Sequence, residues 1–138
     1  MSKTNVLLVD DEIPFVKTVT RRLSKRKLHV DTAFSGQEAL GQLEKDSNIE
    51  IVVLDVKMPG MDGLETLAEI KRNYPQVEVI ILTGHASIES AIKGMRLGAF
   101  DYLMKPCDVD LLISKVEEAA TRKRQHEEKI RETVHQGR

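Results

Sequence analysis

The chain has 138 residues, 41% of them hydrophobic and 31% charged, and its formal net charge is −1. This composition is typical of one globular domain with a substantial core. It argues against a disordered chain and against a uniformly basic surface for nucleic acid. The single cysteine, Cys107, excludes an intramolecular disulfide and favours a reducing, cytoplasmic location. The first apolar run, residues 6–9, is too short for a signal peptide or a membrane span, so we expect no membrane association.

Short apolar runs alternate with segments of helical periodicity along the chain. Strands are predicted at residues 6–9, 28–33, 51–54, 77–82 and 100–104, and an amphipathic helix is predicted after each of them. The run at 51–54 is entirely apolar and mostly β-branched, which is typical of a strand buried on both faces. This alternation predicts an α/β fold, a doubly wound parallel sheet with helices on both faces.

Capping residues mark where several helices begin. Residues 35–38, Ser-Gly-Gln-Glu, have the capping-box spacing, while Ser87 and Asp108 are the predicted N-caps of the fourth and fifth helices. We expect the fourth helix to stop at Gly98. Its periodicity predicts a set of inward-facing side chains, Ile88, Ala91, Ile92 and Met95.

Polar residues end four of the five predicted strands. They are Asp10 and Asp11, then Asp55, Thr83 and Lys105. The carboxyl ends of parallel strands meet at the edge where α/β proteins bind ligands, so we expect one cleft. Carboxylates repel one another unless a cation joins them, and oxygen ligands with no His or Cys among them favour Mg²⁺. A nearby ammonium and hydroxyl suit a phosphoryl group, and Asp55 is the expected nucleophile through an acyl phosphate.

Each of these residues also has a simpler structural interpretation. Asp10 and Asp11 are suited to capping the following helix, Asp55 and Thr83 to turns, and Lys105 to a solvated surface. Their joint occurrence at successive strand ends favours the functional interpretation over a set of independent coincidences.

Four stretches of the sequence together resemble a known family. They are residues 9–12 (Val-Asp-Asp-Glu), 54–63 (Leu-Asp-Val-Lys-Met-Pro-Gly-Met-Asp-Gly), 82–84 (Leu-Thr-Gly) and 102–106 (Tyr-Leu-Met-Lys-Pro). Over residues 4–121 the chain resembles the receiver domain of response regulators in bacterial two-component signalling. The stretch 82–106 is most similar to receivers of NtrC-type transcription activators. The resemblance implies a flavodoxin-like (βα)5 fold with strand order 2-1-3-4-5.

The resemblance also implies roles for the acidic residues. Asp55 would accept a phosphoryl group from the phosphohistidine of a histidine kinase or phosphotransfer protein. Mg²⁺, or Mn²⁺ in its place, would be bound by Asp11, Asp55 and the backbone carbonyl of Lys57. Asp10 would act mainly through a bound water.

The switch residues follow from the same resemblance. Thr83 and Lys105 would contact the phosphoryl oxygens, and the peptide bond between Lys105 and Pro106 would be cis. On phosphorylation, Thr83 would move toward the new oxygens and Tyr102 would rotate inward. The face formed by the fourth helix, the fifth strand and the fifth helix (the α4-β5-α5 face) would then change its partner preference.

Two further residues would tune the lifetime of the acyl phosphate. Lys57 and His85 would both flank the path of an attacking water. A protein of this kind catalyses only its own phosphorylation and dephosphorylation, so we expect a switch and not a turnover enzyme. Its output would be transcription or partner binding.

The last segment differs in charge from the rest of the chain. Residues 121–138 carry six basic and three acidic side chains. A heptad pattern begins at residue 109 and continues into this segment, but Lys123 and His126 occupy the middle of its seam, where they are poor residues for a coiled coil. We therefore assign residues 1–121 to a receiver domain and 122–138 to an extended C-terminal helix, linker or tail. The open interpretations are a dimerising helix, a solvated tail, and a linker to an effector domain that would make any DNA contact. A homodimer would form through this helix or the α4-β5-α5 face.

Two other functions are compatible with this topology. A flavin-binding module would need a small polar phosphate loop after the first strand, where residues 10–12 (Asp-Asp-Glu) would instead repel the flavin phosphate. A pseudo-receiver used only for protein interaction would not need the acidic set together with Thr83 and Lys105. The phosphorylated switch explains more of the sequence than either.

Overall fold

Five parallel strands form one sheet in the order β2-β1-β3-β4-β5. The computed structural model describes residues 3–136. The strands are β1 (Thr4–Val9), β2 (Leu28–Ala33), β3 (Ile51–Leu54), β4 (Glu78–Thr83) and β5 (Asp101–Met104). The helices are α1 (Ile13–Ser24), α2 (Gly36–Lys45), α3 (Gly63–Asn73), α4 (Ile88–Arg96) and α5 (Val109–Gln136). The predicted fold class and strand order are confirmed.

The sheet separates two hydrophobic layers because neighbouring strand residues point to opposite faces. In β1, Val6 and Leu8 pack with α1 and α5, whereas Leu7 and Val9 pack on the other face with α2 and α3. All of β3 is buried, as expected for a central strand of a parallel sheet. The carboxyl end of β3, where Asp55 follows, is therefore held from both faces.

The helix starts follow the capping pattern of the sequence. Ser35 accepts a hydrogen bond from the Glu38 amide at 3.1 Å, and Asp108 accepts one from the Asp110 amide at 3.0 Å. Ser87 begins α4 in a reciprocal capping box with Ser90. These contacts satisfy amide groups that a helix leaves unpaired at its start, and they confirm the three predicted caps.

The predicted inward face of α4 is wrong for three of its four side chains, whereas Ala91 is half-buried. Ile88, Ile92 and Met95 are 80%, 49% and 46% exposed, and Gly94 is the buried residue of this helix. A Cβ atom on Gly94 would lie 2.5 Å from Cδ1 of Ile81, so the helix packs on the sheet through its backbone. This close approach turns the apolar stripe outward, which periodicity alone does not reveal.

Helix α5 continues well past the sheet. Arg122 lies 3.1 Å from the buried Glu78 carboxylate, and Arg124 lies 3.3 Å from Glu50, so ion pairs join the helix to the amino-terminal edge of the sheet. Beyond these contacts most of its described side chains are exposed. Among residues 3–136, no helix has the length and apolar character needed to cross a membrane.

Candidate active site

Three aspartates meet at the carboxyl edge of the sheet. Asp10 and Asp55 directly follow β1 and β3, and their amides continue the backbone pairing to Ala33 (3.1 Å) and Val9 (3.0 Å). Asp10 and Asp55 are only 1% and 2% exposed, whereas Asp11 is exposed. One carboxylate oxygen from each aspartate lies within 4.8 Å of the others. The strands thus bring the predicted acidic set together.

The Asp55 carboxylate has few partners for a buried charge. Its Oδ1 accepts one long hydrogen bond, 3.4 Å, from the Lys57 amide, and its Oδ2 lies 3.8 Å from Nζ of Lys105. Buried carboxylates normally accept several hydrogen bonds or pair closely with a cation. Asp55 therefore retains acceptor capacity that faces the cleft.

Lys105 is the cationic centre of the site. Its Nζ donates to Oδ2 of Asp10 at 2.6 Å and to Oε1 of Glu12 at 2.8 Å, and it lies 3.9 Å from the centroid of the Phe15 ring. The Lys105 amide donates to the Thr83 carbonyl at 2.9 Å, which fixes the residue beside the end of β4. The following peptide bond, Lys105–Pro106, is cis.

Burial and pairing have opposite effects on the pKa values of Asp10 and Lys105. Burial raises the pKa of Asp10, aided by the charge of Asp55 and opposed by the hydrogen bonds from Lys105 and the Glu12 amide. Burial alone would lower the pKa of Lys105, but the hydrogen bonds to Asp10 and Glu12 outweigh it and the pKa is raised. The Lys105 hydrogen bond lowers the pKa of the exposed Glu12. The site is a crowded carboxylate cluster held by one ammonium.

The donor set fits a hard divalent cation. The three clustered carboxylates supply only oxygen ligands, and the mutual repulsion of Asp10 and Asp55 would be relieved by added positive charge. Mg²⁺ uses few protein carboxylates and keeps several waters, which matches a cleft that is open at Asp11. The residues present therefore fit the predicted Mg²⁺.

Thr83 lies at the same edge of the sheet, and its hydroxyl is hydrogen-bonded to the backbone of His85. Its hydroxyl oxygen accepts a hydrogen bond from the His85 amide at 3.0 Å, and the residue is fully buried. Because that bond uses a lone pair, the hydroxyl proton stays available for a further acceptor. His85 and Lys57 are exposed and line one cleft with Asp11 and Asp55.

Tyr102 is half-buried and is linked to the start of α4. Its hydroxyl lies 2.6 Å from Oγ of Ser90, and the Ser87 amide donates to it at 3.4 Å. The ring edge also lies near Gly94, since a Cβ atom on that glycine would be 3.9 Å from Cδ2 of the tyrosine. The tyrosine thus contacts the helix start and not the acidic cluster.

The sequence matches one protein family over most of its length. The family described as response regulator receiver domain matches residues 6–117. The chain belongs to this family.

Relatives of this receiver domain support the assignment. It is 36% identical over 123 residues to the transcriptional regulatory protein ZraR of Salmonella typhimurium, covering 89% of this chain and 28% of the relative. It is 37% identical over 119 residues to the DNA-binding transcriptional regulator NtrC of the same organism, covering 86% and 25%. The chain thus spans about a quarter of the length of these regulators. A response regulator receiver domain protein from Clostridium thermocellum superimposes with a TM-score of 0.84 at 36% identity, covering 88% of this chain and 98% of the other.

Two residues of the receiver site were not predicted from the sequence. Glu12 has the spacing of a helix-start acid, yet its carboxylate pairs with Lys105. Phe15 has the spacing of a core residue of α1, yet its ring lies against the same ammonium. A signal for Glu12 was present, since it directly follows two site aspartates, but only the fold shows that Lys105 reaches it.

Proposed function

We propose that Asp55 accepts a phosphoryl group from the phosphohistidine of a histidine kinase or phosphotransfer protein, and that the chain works as a switch and not as a turnover enzyme. The observation that carries the proposal is the buried, under-bonded Asp55 carboxylate with Lys105 3.8 Å away. A nucleophilic carboxylate must keep a free lone pair near groups that stabilise the developing charge. Asp55 meets both conditions.

The proposed step is a balanced phosphoryl transfer. A carboxylate oxygen of Asp55 forms a bond to phosphorus while the phosphorus–nitrogen bond of phosphohistidine breaks. The electron pair leaves with the imidazole nitrogen, which takes a proton from solvent. Lys105 and Thr83 donate hydrogen bonds to the phosphoryl oxygens, since their ammonium and hydroxyl protons lie at the same sheet edge.

Asp11, Asp55 and the backbone carbonyl of Lys57 would hold Mg²⁺, or Mn²⁺ in its place, with Asp10 acting mainly through a bound water. When bound, the dication would offset the charge of the carboxylates and of the phosphoryl oxygens. The proposal is supported by the clustering of the three carboxylates. The turn at residues 59–63 supports it as well, because the hydrogen bond from the Gly63 amide to the Val56 carbonyl brings the chain back beside Lys57.

We assign the lifetime of the acyl phosphate to Lys57 and His85. Both line the cleft beside Asp55, and both are exposed, so their side chains are free to control the approach of water. Replacement of either by alanine should change the rate of dephosphorylation more than the affinity for Mg²⁺. Equal decay rates in wild type, Lys57→Ala and His85→Ala would contradict this assignment.

The conformational response would begin at Thr83 and Tyr102. Movement of the Thr83 hydroxyl toward phosphoryl oxygens weakens its bond with the His85 amide, and rotation of Tyr102 breaks its contact with Ser90. Several exposed apolar side chains lie on the α4-β5-α5 face, namely Ile88, Ile92, Met95, Met104 and Leu111. Exposed apolar groups of this kind favour a protein partner, so phosphorylation would change what this face binds.

We propose transcriptional control as the output, through an effector domain outside this sequence that would make any DNA contact. The names of ZraR and NtrC support this output. A homodimer through the α4-β5-α5 face or α5 would transmit the signal, and sedimentation with and without beryllofluoride and Mg²⁺ tests it. An unchanged sedimentation coefficient would contradict dimerisation on activation.

Phosphorylation itself is tested by incubation with acetyl phosphate and Mg²⁺, followed by intact-mass measurement. Wild type should gain one phosphoryl group, and Asp55→Asn should gain none. Asp31→Asn, the same chemical change at a partly exposed residue of β2, serves as the matched control and should behave as wild type. An adduct that survives Asp55→Asn would contradict the proposal. If the adduct hydrolyses too quickly to be detected, a titration with beryllofluoride, a phosphoryl mimic, tests binding at the same site.

A further inference from the structure

We propose that Glu12 holds one of the donors of Lys105 that would otherwise serve a phosphoryl oxygen, and that it thereby controls how readily Asp55 is phosphorylated. This inference rests on the proposed phosphorylation of Asp55. It concerns a positioning residue, because Glu12 acts through Lys105 and not on the reacting atoms.

The ammonium of Lys105 has few donors for its partners. An ammonium group has three N–H donors and no acceptor. One donor bonds Asp10 at 2.6 Å and one bonds Glu12 at 2.8 Å. The remaining side of the ammonium faces the Phe15 ring at 3.9 Å and Asp55 at 3.8 Å. A phosphoryl oxygen on Asp55 can take this third donor, but a second short hydrogen bond from the ammonium requires that one of the present carboxylate partners leaves.

The two carboxylate partners of Lys105 differ in their freedom to leave. Asp10 is 1% exposed, and its other oxygen is held by the Glu12 amide at 2.9 Å. The Glu12 side chain is 60% exposed and makes no capping bond to α1. A buried charge that loses its partner is costly, whereas an exposed one is solvated at once. Glu12 is therefore the partner that a phosphoryl oxygen would displace from Lys105.

The position of Glu12 in the cleft should also slow phosphorylation through its charge. Glu12 lines one cleft with Asp11, Lys57 and His85, and Asp55 lies in the same cleft. Phosphoryl donors are anionic, so a carboxylate there opposes their approach. Glu12 thus slows phosphorylation both by occupying Lys105 and by its charge.

The effect should fall on formation of the adduct and not on its decay. With acetyl phosphate, an Asp55 oxygen bonds to phosphorus while the phosphorus–oxygen bond to acetate breaks, and acetate leaves with the electron pair. Glu12 changes no covalent bond and only exchanges its hydrogen bond with Lys105 for water. Once the phosphoryl group is in place, Lys105 faces it both before and during hydrolysis, so the decay rate does not depend on Glu12.

The test compares rates of adduct formation and decay by intact mass in the full chain. Glu12→Gln keeps the shape and removes the charge, while Glu12→Asp keeps the charge but is too short for the contact. Glu44→Gln, an exposed residue at the end of α2, makes the same charge change far from the cleft. The formation rate with acetyl phosphate should rise about twofold to fivefold in Glu12→Gln, the size expected for loss of an ion pair with an exposed partner. It should rise less in Glu12→Asp and not at all in Glu44→Gln, with decay unchanged in all.

Several results would overturn the inference. They are an unchanged or slower formation rate in Glu12→Gln, a parallel change in decay, and a Glu12→Asp variant that equals wild type. If no variant forms an adduct at Asp55, the proposed function fails and the inference fails with it. Carboxyl ¹³C shifts give a reading that is independent of rate. Beryllofluoride with Mg²⁺ should shift the Glu12 resonance and leave that of Glu44 in place, and an unmoved Glu12 resonance contradicts the displacement.

Discussion

Replacement of Gly63 by alanine should destabilise the domain through the turn that follows Asp55. A Cβ atom on Gly63 would overlap the Asp55 carbonyl oxygen and lie 2.6 Å from Cα of Val56. Its amide also donates to the Val56 carbonyl at 2.6 Å, so helix α3 and the end of β3 are in direct backbone contact. Carbon atoms pack at about 3.5–4.0 Å, so the backbone would have to move by about 1 Å.

The cost of this movement can be estimated. Overpacking of a well-packed site costs about 1–3 kcal/mol. At about 4 °C per kcal/mol for a domain of this size, the melting temperature should fall by about 4–12 °C. Because the displaced atoms carry Asp55, the rate of adduct formation with acetyl phosphate should fall as well.

Gly41 provides a matched control for this prediction. It lies inside α2, and nothing lies within 4 Å of the position that its Cβ would occupy. Gly41→Ala should therefore stabilise the helix by about 0.5–1 kcal/mol. Urea and thermal unfolding followed by circular dichroism compare the two variants. A Gly63→Ala variant that is as stable as wild type, or a change of stability in the same direction in both variants, would contradict this prediction.

Three further predictions follow from contacts elsewhere in the structure. Tyr102→Phe and Ser90→Ala should each lower the free energy of unfolding in urea by about 0.5–1.5 kcal/mol. The double variant should lose less than the sum, because both changes remove the same 2.6 Å hydrogen bond between the two hydroxyls, and additive losses would contradict that bond. Asp11→Asn should lower the affinity for Mg²⁺ at least about tenfold by calorimetric titration, with the metal-free stability unchanged because Asp11 is exposed. Asp10→Asn should also alter the free energy of unfolding, because it removes a partner of Lys105. Equal metal binding in wild type and Asp11→Asn would exclude Asp11 as a ligand. Burial lowers the pKa of Lys71 below 10.5 against the opposing charge of Glu78, so the folded protein binds fewer protons there than the unfolded chain. The unfolding free energy of wild type relative to Lys71→Met should therefore rise from neutral pH toward pH 10.5, and a fall would contradict this sign.

The fold was accessible from sequence because local patterns and tertiary packing agree in most elements. The all-apolar run of β3 and the caps at Ser35, Ser87 and Asp108 are local signals, and each has the predicted place in the structure. The clustering of the aspartates also follows, since the carboxyl ends of parallel strands meet at one edge.

The parts that sequence did not reveal depend on distances between elements. The orientation of α4 is set by the close approach of Gly94 to Ile81, which outweighs a strong apolar periodicity. The pairing of Glu12 with Lys105 joins residues 93 positions apart, and nothing in either segment alone selects that partner. Contacts of this kind become visible only when the sheet order places β1 and β5 on either side of β3 and β4.

The most direct test of the central claim locates the phosphoryl group on the chain. Acyl phosphates are reduced by borohydride to the alcohol, which would convert the modified aspartate to homoserine. After treatment with acetyl phosphate and Mg²⁺, reduction and tryptic digestion, peptide sequencing by mass spectrometry should place homoserine at position 55 in the peptide covering residues 46–57. Homoserine at another aspartate, or none in a protein that has gained a phosphoryl group, would contradict the account.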